Sequence, residues 1–329
     1  MTRPDDLAAS SPLPCLPPRD PAGHKGVFGT VAVVGGCASG GRRMIGAPAL
    51  AALGALRGGV GLVRLITPRP VLNAALVIAP SATGVALPVD ADGAIIAHEA
   101  AAVLDGVLAD ADCLVIGPGF GMDDGARAIA LRAVQQDTTP VVVDADAING
   151  LSQVPELWRD FRAPTVLTPH PGEFRRMAGP LRIAADPTTQ DGRIAGAERM
   201  AQRLGCIVVL KGAGTVVSDG HRSWVCERGH ACLATAGTGD VLAGLIGAIV
   251  AQFVPRPDPT VSALPESLRA KISPDPRRPL SLFEAARIGV QAHAIAGERW
   301  ADSHGAEAGL LAAELADLLP KALSSLRSR

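Results

Sequence analysis

Ala234-Thr235-Ala236-Gly237-Thr238-Gly239-Asp240-Val241-Leu242-Ala243 places an acid directly behind two glycines where a long apolar helix begins. Small residues let backbone N–H groups approach an anion closely, and a helix N-terminus adds roughly half a positive charge. Asp240 then stands where a base takes a proton from an attacking hydroxyl. Read alone, the same letters also describe a Gly-capped turn with an acid in the first helical turn. Their company decides the matter. Lys211-Gly212-Ala213-Gly214-Thr215 follows the strand-like run Cys206-Ile207-Val208-Val209-Leu210. A cation and more glycine thus sit at a strand's C-terminal end, where open α/β sheets bind ligands.

Working outward, strand, glycine-rich or polar loop, and helix recur in order. Thr30 to Val34 ends in Gly35-Gly36 before an Ala-rich helical segment, Ala47 to Arg57, and Leu62 to Ile66 is the next strand. Cys113 to Ile116 ends in Gly117-Pro118-Gly119-Phe120-Gly121 and is followed by a helix from Gly125 to Gln135, which Asp123-Asp124 begin. Val141 to Val143 ends in Asp144-Ala145-Asp146. Thr165 to Leu167 runs into Thr168-Pro169-His170-Pro171-Gly172-Glu173, then a short helix and a longer one from Ile194 to Leu204. Uninterrupted apolar strands alternating with helices predict a mainly parallel sheet covered on both faces. Thr215 to Val217 and Trp224 to Cys226 read as a hairpin, and helices are expected at Val241 to Gln252, Leu282 to Trp300 and Ala306 to Leu319. In a parallel sheet the strand-terminal motifs share one edge, so they converge in space.

The chain has 329 residues and 48% hydrophobic content, enough for a large core, and its net charge of −1 shows no footprint for nucleic acid or an acidic membrane. With 3% aromatics and no Tyr it offers no base-stacking platform. Six scattered cysteines without C-x-x-C spacing read as reduced core thiols, with Cys232 as packing. No apolar run reaches the roughly 20 residues of a membrane helix, and a cytoplasmic protein is expected. Residues 1–22, broken by Pro14, Pro17, Pro18 and Pro21, read as an irregular lead-in. Residues 23–329 read as one domain, with a Pro-rich surface insertion at 255–279.

These motifs together resemble the ADP/ATP-dependent NAD(P)H-hydrate dehydratases. The matching text includes His24-Lys25-Gly26, Gly46-Ala47-Pro48-Ala49, Gly58-Gly59-Val60-Gly61, Gly117 to Gly121, Asp144 to Asn149, Leu167 to Phe174, Lys211 to Thr215 and the opening motif. The ordered set spans roughly residues 24–320 and is far more specific than any member. The resemblance implies a ribokinase-like, three-layer α/β/α fold with a mainly parallel central sheet. It implies ADP- or ATP-dependent dehydration of (S)-NADHX and (S)-NADPHX, by phosphorylation of the C6 hydroxyl and elimination of phosphate. It further implies Asp240 as base, and Lys211, Gly212, Ala213, Gly214, Thr215 and Gly239 at the adenine nucleotide. Ala47, His170, Asp240 and either Gly119 or Gly121 are implied at the hydrated cofactor. Mg2+ is implied, with no direct protein ligand assigned, Glu173 echoing an acid that helps hold magnesium and phosphate, usually through water. A homo-oligomer and a separate epimerase are expected as partners.

Several of these residues keep plainer readings: Lys211 as a strand-end lysine, His170 as a cap, Asp144 and Asp146 as turn formers. The chain departs from the family's usual text at Val27, Thr238 and His230-Ala231-Cys232. A kinase of a small alcohol or vitamin precursor, and a nucleotide sensor without turnover, are the competing readings. The Gly46-Ala47-Pro48 and Thr168 to Glu173 text favours the dehydratase over the kinase, and Asp240 argues against the sensor.

Overall fold

The computed structural model describes residues 12–256 and 275–327. Apolar, β-branched runs with both faces covered form a sheet of nine strands among these residues: β1 (Thr30–Val34), β2 (Leu62–Pro68), β3 (Thr83–Leu87), β4 (Cys113–Ile116), β5 (Val141–Val143), β6 (Thr165–Leu167), β7 (Ile207–Leu210), β8 (Val216–Ser218) and β9 (Ser223–Val225). Their spatial order is β3-β2-β1-β4-β5-β6-β7-β8-β9. The first seven pair in parallel, whereas β8 pairs antiparallel with both β7 and β9. Strand order reverses between β1 and β4, and in such sheets ligands bind beyond the carboxyl ends at that reversal.

Because side chains alternate along a strand, the sheet divides two cores. Val31 and Val33 join one, Ala32 and Val34 the other. Over the first lie α1 (Gly46–Arg57), α2 (Arg69–Ile78), α8 (Thr238–Phe253), α9 (Leu282–His304) and α10 (Ala312–Ser324). Over the second lie α3 (Ala97–Asp110), α4 (Asp124–Gln135), α5 (Ala145–Leu151), α6 (Pro171–Ala178) and α7 (Gln190–Leu204). The result is the expected three-layer α/β/α arrangement. Helices α1 and α8 cross at backbone contact: a Cβ on Gly54 would lie 2.3 Å from the Val241 carbonyl oxygen, and one on Gly244 would lie 1.9 Å from that of Ala51.

Elements between residues 67 and 112 were not foreseen. There β3 is a half-exposed edge strand containing Gly84, and it lacks the continuous apolar run of the central strands. The last helix begins at Ala312 rather than Ala306, after Gly309 turns the chain at φ +101°, and it continues through Pro320 to Ser324. The segment 12–22 contains no helix, yet Leu16 is buried and its N–H donates to the Leu326 carbonyl at 2.7 Å. Of the predicted 255–279 insertion, residues 257–274 lie outside the described residues. Its flanks are anchored: Arg278 pairs with Asp112 at 2.7 Å, and the Leu280 N–H donates to the Phe253 carbonyl. Cys15 is exposed and the other five thiols are buried, Cys232 donating to the Gly297 carbonyl. No helix among the described residues is long and apolar enough to cross a membrane.

Candidate active site

The floor of the site is an ion pair. Asp144, the residue after β5, is 1% exposed, and its Oδ1 accepts from Thr168 Oγ1 at 2.7 Å and from Lys211 Nζ at 2.8 Å. Lys211 follows β7, and its N–H donates to the Pro169 carbonyl, which ties this strand end to the β6 loop. Burial opposes the lysine's charge, but Asp144, Glu173 and Asp240 outweigh it and hold its pKa above the ordinary value. Asp144 makes no side-chain cap to α5, so it serves as the counter-ion of Lys211 rather than as a turn former. Asp146, by contrast, accepts from the Gly121 N–H at 2.9 Å, and Asp123 caps α4 as expected.

Above this pair α8 begins. Its N-cap, Gly237, has φ +93°, a left-handed conformation open to glycine, and supplies no side chain to the first-turn N–H groups. Thr238 Oγ1 is turned back to donate to the carbonyls of Leu233 and Thr235, both at 2.8 Å. A Cβ on Gly239 would stand 3.4 Å from Lys211 Nζ, so the lysine lies against the open end of the helix. Asp240 is partly buried. Burial chiefly, with help from Asp144, Asp146 and Glu173 against the opposing pull of Lys211, raises its pKa to about 7. Glu173 is itself raised, again first by burial.

Beside the lysine opens a cleft of about 540 Å³, lined by Lys211 to Thr215, Cys226 to Ala231, Gly239, Leu242 and one face of α9. Its glycine loop is braced from two sides. Thr215 Oγ1 donates to the Gly212 carbonyl at 2.9 Å, and the buried Arg193 of α7 donates to the Ala213 carbonyl. The predicted nucleotide residues Lys211, Gly212, Ala213, Gly214, Thr215 and Gly239 therefore share one cavity. A short 3-10 turn, Ala231–Leu233, capped by His230, lies on its rim.

The other predicted contacts lie outside this cleft. A Cβ on Gly119, at φ +58°, would lie 3.1 Å from the Cβ atoms of both Ala47 and Met44, so Gly119 and Ala47 adjoin. Gly121 instead spends its N–H on Asp146 and stands over the Cys37 thiol. His170 caps α6: its Nδ1 accepts from the N–H of Gly172 at 2.9 Å, while Glu173 Oε2 accepts from the His170 N–H at 2.8 Å. With Nδ1 an acceptor, the neutral ring's proton sits on Nε2, which lies 3.4 Å from Glu173 Oε1. Burial first, then Lys211 and Arg176, lowers its pKa. The ring remains half-exposed, so capping leaves a free face.

Sequence reading missed two members. The Asp144–Lys211 pair joins residues 67 positions apart, and only the adjacency of sheet ends reveals it. His293, in the middle of α9, lines the cleft and places Nε2 2.9 Å from the Thr238 carbonyl oxygen. Burial chiefly, with Lys211 adding, lowers its pKa to about 4. Nothing local distinguishes it from a surface histidine of an Ala-rich helix.

The Carb_kinase family model, described as NAD(P)H-hydrate dehydratase, matches residues 31–321. The chain is 32% identical over 323 residues to the bifunctional NAD(P)H-hydrate repair enzyme Nnr of Thermofilum pendens, covering 98% of this chain and 54% of that protein. It thus spans about half the length of the curated relatives it matches. The crystal structure of ADP/ATP-dependent NAD(P)H-hydrate dehydratase from Bacillus subtilis, co-crystallised with ATP/Mg2+, is 29% identical with a TM-score of 0.68, each chain covered to 95%. A ribokinase-like superfamily protein from Enterococcus faecalis, 23% identical with a TM-score of 0.67 over 95% of this chain and 93% of its own, shares the fold.

Proposed function

The chain belongs to the NAD(P)H-hydrate dehydratase family, and from that premise we propose that it repairs hydrated nicotinamide cofactor by ADP- or ATP-dependent dehydration of (S)-NADHX and (S)-NADPHX. The observation that carries this reading is Asp240, a partly buried carboxyl with a pKa of about 7 at the uncapped N-terminus of α8, beside a lysine-bearing cleft. A base tuned to the ambient pH combines the required ionised form with a useful driving force for proton transfer.

In this proposal the nucleotide lies along Lys211 to Thr215 with its terminal phosphate at Gly239. Asp240 takes the proton of the C6 hydroxyl as that oxygen attacks phosphorus, and the bridging oxygen leaves with its electron pair on the shortened nucleotide. The first-turn N–H groups and Lys211 stabilise the charge on the transferring group. The ring nitrogen's lone pair then expels phosphate from C6, and loss of a proton from C5 restores the dihydronicotinamide. Hydroxide leaves poorly near neutral pH and phosphate leaves well, which accounts for the nucleotide. Ala47, Gly119 and His170 seat the hydrated ring, while Gly121 supports them through Asp146.

Asp144, Glu173 and Asp240 bring more negative charge to this site than Lys211 balances. No group of three or more His, Cys, Asp or Glu residues suited to a metal occurs among the described residues. The residues present fit magnesium carried on the nucleotide's phosphates and completed by water, with Glu173 as the acid that would hold it through water. When bound, the ion would neutralise phosphate charge. We extend the proposal to a cytoplasmic homo-oligomer, with exposed Val77 and Ile78 on α2 as supporting apolar surface, and to a separate epimerase that converts the R hydrate. The test is absorbance of reduced nicotinamide formed from purified (S)-NADHX, with ADP and ATP offered separately. No turnover with either nucleotide refutes the reading.

A further inference from the structure

Helix α9 crosses the opening of α8 at one polar contact, between His293 Nε2 and the Thr238 carbonyl oxygen at 2.9 Å. Two neutral acceptors cannot hydrogen-bond, so Nε2 carries the proton and donates. The partner carbonyl matters because of what it is joined to. The peptide linking Thr238 to Gly239 is planar and trans, so its C=O and its N–H point to opposite sides of one rigid unit. Fixing the Thr238 oxygen fixes the direction of the Gly239 N–H.

That N–H is among the first four of α8, none of which has an intrahelical acceptor, and the N-cap Gly237 offers no side chain in its place. The Thr238 carbonyl also opens the intrahelical ladder of α8, accepting the N–H four residues on, so His293 is a second donor to the same oxygen and the one that reaches it from outside the helix. We infer that His293 is a positioning residue for phosphoryl transfer: its Nε2–H clamps the Thr238–Gly239 peptide so that the Gly239 N–H is aimed at the phosphate. This rests on the reading of the α8 N-terminus as the phosphate site. Lys211, which faces both His293 and Gly239, supplies charge there, whereas His293 supplies direction.

The test compares His293→Met with His293→Gln. Both replacements are unbranched and similar in size, and only Gln can donate to the carbonyl. Misdirecting a transition-state donor should cost part of the 10²- to 10³-fold lost when such a donor is deleted. The Met variant is expected to lose about tenfold or more in kcat, with KM for (S)-NADHX little changed. Titration calorimetry should find its ATP affinity lowered several-fold and its affinity for adenosine, which has no phosphate, unchanged. The Gln variant should recover both losses. Equal kcat and equal ATP affinity in folded Met and Gln variants overturn the inference, as does an equal loss of ATP and adenosine affinity. If the wild type forms no NADH while the ATP-selective pattern persists, the proposed function fails and the clamp stands.

Discussion

Replacing Asp240 by Asn should stabilise the protein while abolishing its proposed chemistry, and the gain should appear only above a defined pH. Asp240 has a pKa of about 7 in the fold, against 3.8 for an unperturbed carboxyl. Between those values the folded chain holds a proton that the unfolded chain has released, so stability falls as pH rises through this window. Each pH unit of the gap is worth about 1.4 kcal/mol, which sets a ceiling of about 4 kcal/mol at pH 8. Partial exposure admits water and ions, so roughly 1–3 kcal/mol is the reasonable expectation. In a chain of this size that corresponds to a few degrees in Tm. Asn mimics the protonated acid, so the difference between variant and wild type should be near zero at pH 4, grow between pH 4 and 7, and level off above. Differential scanning calorimetry across that range measures it directly. The same titration should appear in kinetics: wild-type kcat/KM should rise with pH to a plateau above about 7, and the Asn variant should lose ~10²- to 10⁴-fold. A variant less stable than wild type at pH 8, or one with near-normal turnover, would refute the account of Asp240 as a strained base.

Other perturbations follow from the same geometry. Lys211→Ala removes a charge-assisted contact worth about 1.5–3 kcal/mol, so nucleotide affinity should fall on the order of 10- to 150-fold by calorimetry. It also strands buried Asp144, so melting should drop by an amount equivalent to about 3–5 kcal/mol, and adding Asp144→Asn should recover part of that loss without restoring activity. Gly119→Ala places a Cβ in a left-handed residue 3.1 Å from Ala47 and Met44, and should raise KM for the hydrate several-fold while leaving ATP affinity intact. Replacing residues 257–274 with a short Gly/Ser linker should leave Tm and turnover near wild type. The flanking Phe253 and Leu280 meet at the far end of α8, about 24 Å from Gly237 by helix rise. Lost turnover in the folded deletion would instead give that segment a role at a site.

The layered α/β/α fold was legible because its strands are buried on both faces and therefore read as unbroken apolar runs. Edge strand β3 was not, since half-exposed Thr83 to Leu87 lacks that signal. At the site, Lys211 and Asp240 announced themselves through glycines demanded by local backbone geometry. Gly119 and Gly121 were indistinguishable as letters, and only the packing of Ala47 and the Asp146 hydrogen bond separates them. His170 does cap its helix, as the plainer reading held, and the cap uses only Nδ1. His293 was invisible because its meaning lies in a helix crossing, a relation that sequence spacing along α9 does not encode.

The crossing of α1 and α8 has a mechanical consequence. With Gly54 against the Val241 carbonyl and Gly244 against that of Ala51, the two backbones touch with no side-chain layer to shear. Ala47 and Asp240, one on each helix, therefore move as a single rigid jaw. In the proposed reaction, an opening that releases phosphate would come from the facing side, the Gly212 to Thr215 loop, which is held by the Thr215 and Arg193 hydrogen bonds rather than by close backbone packing. Such a molecule would tune its turnover at the hinge of the nucleotide loop, while the base and the floor it works against stay still.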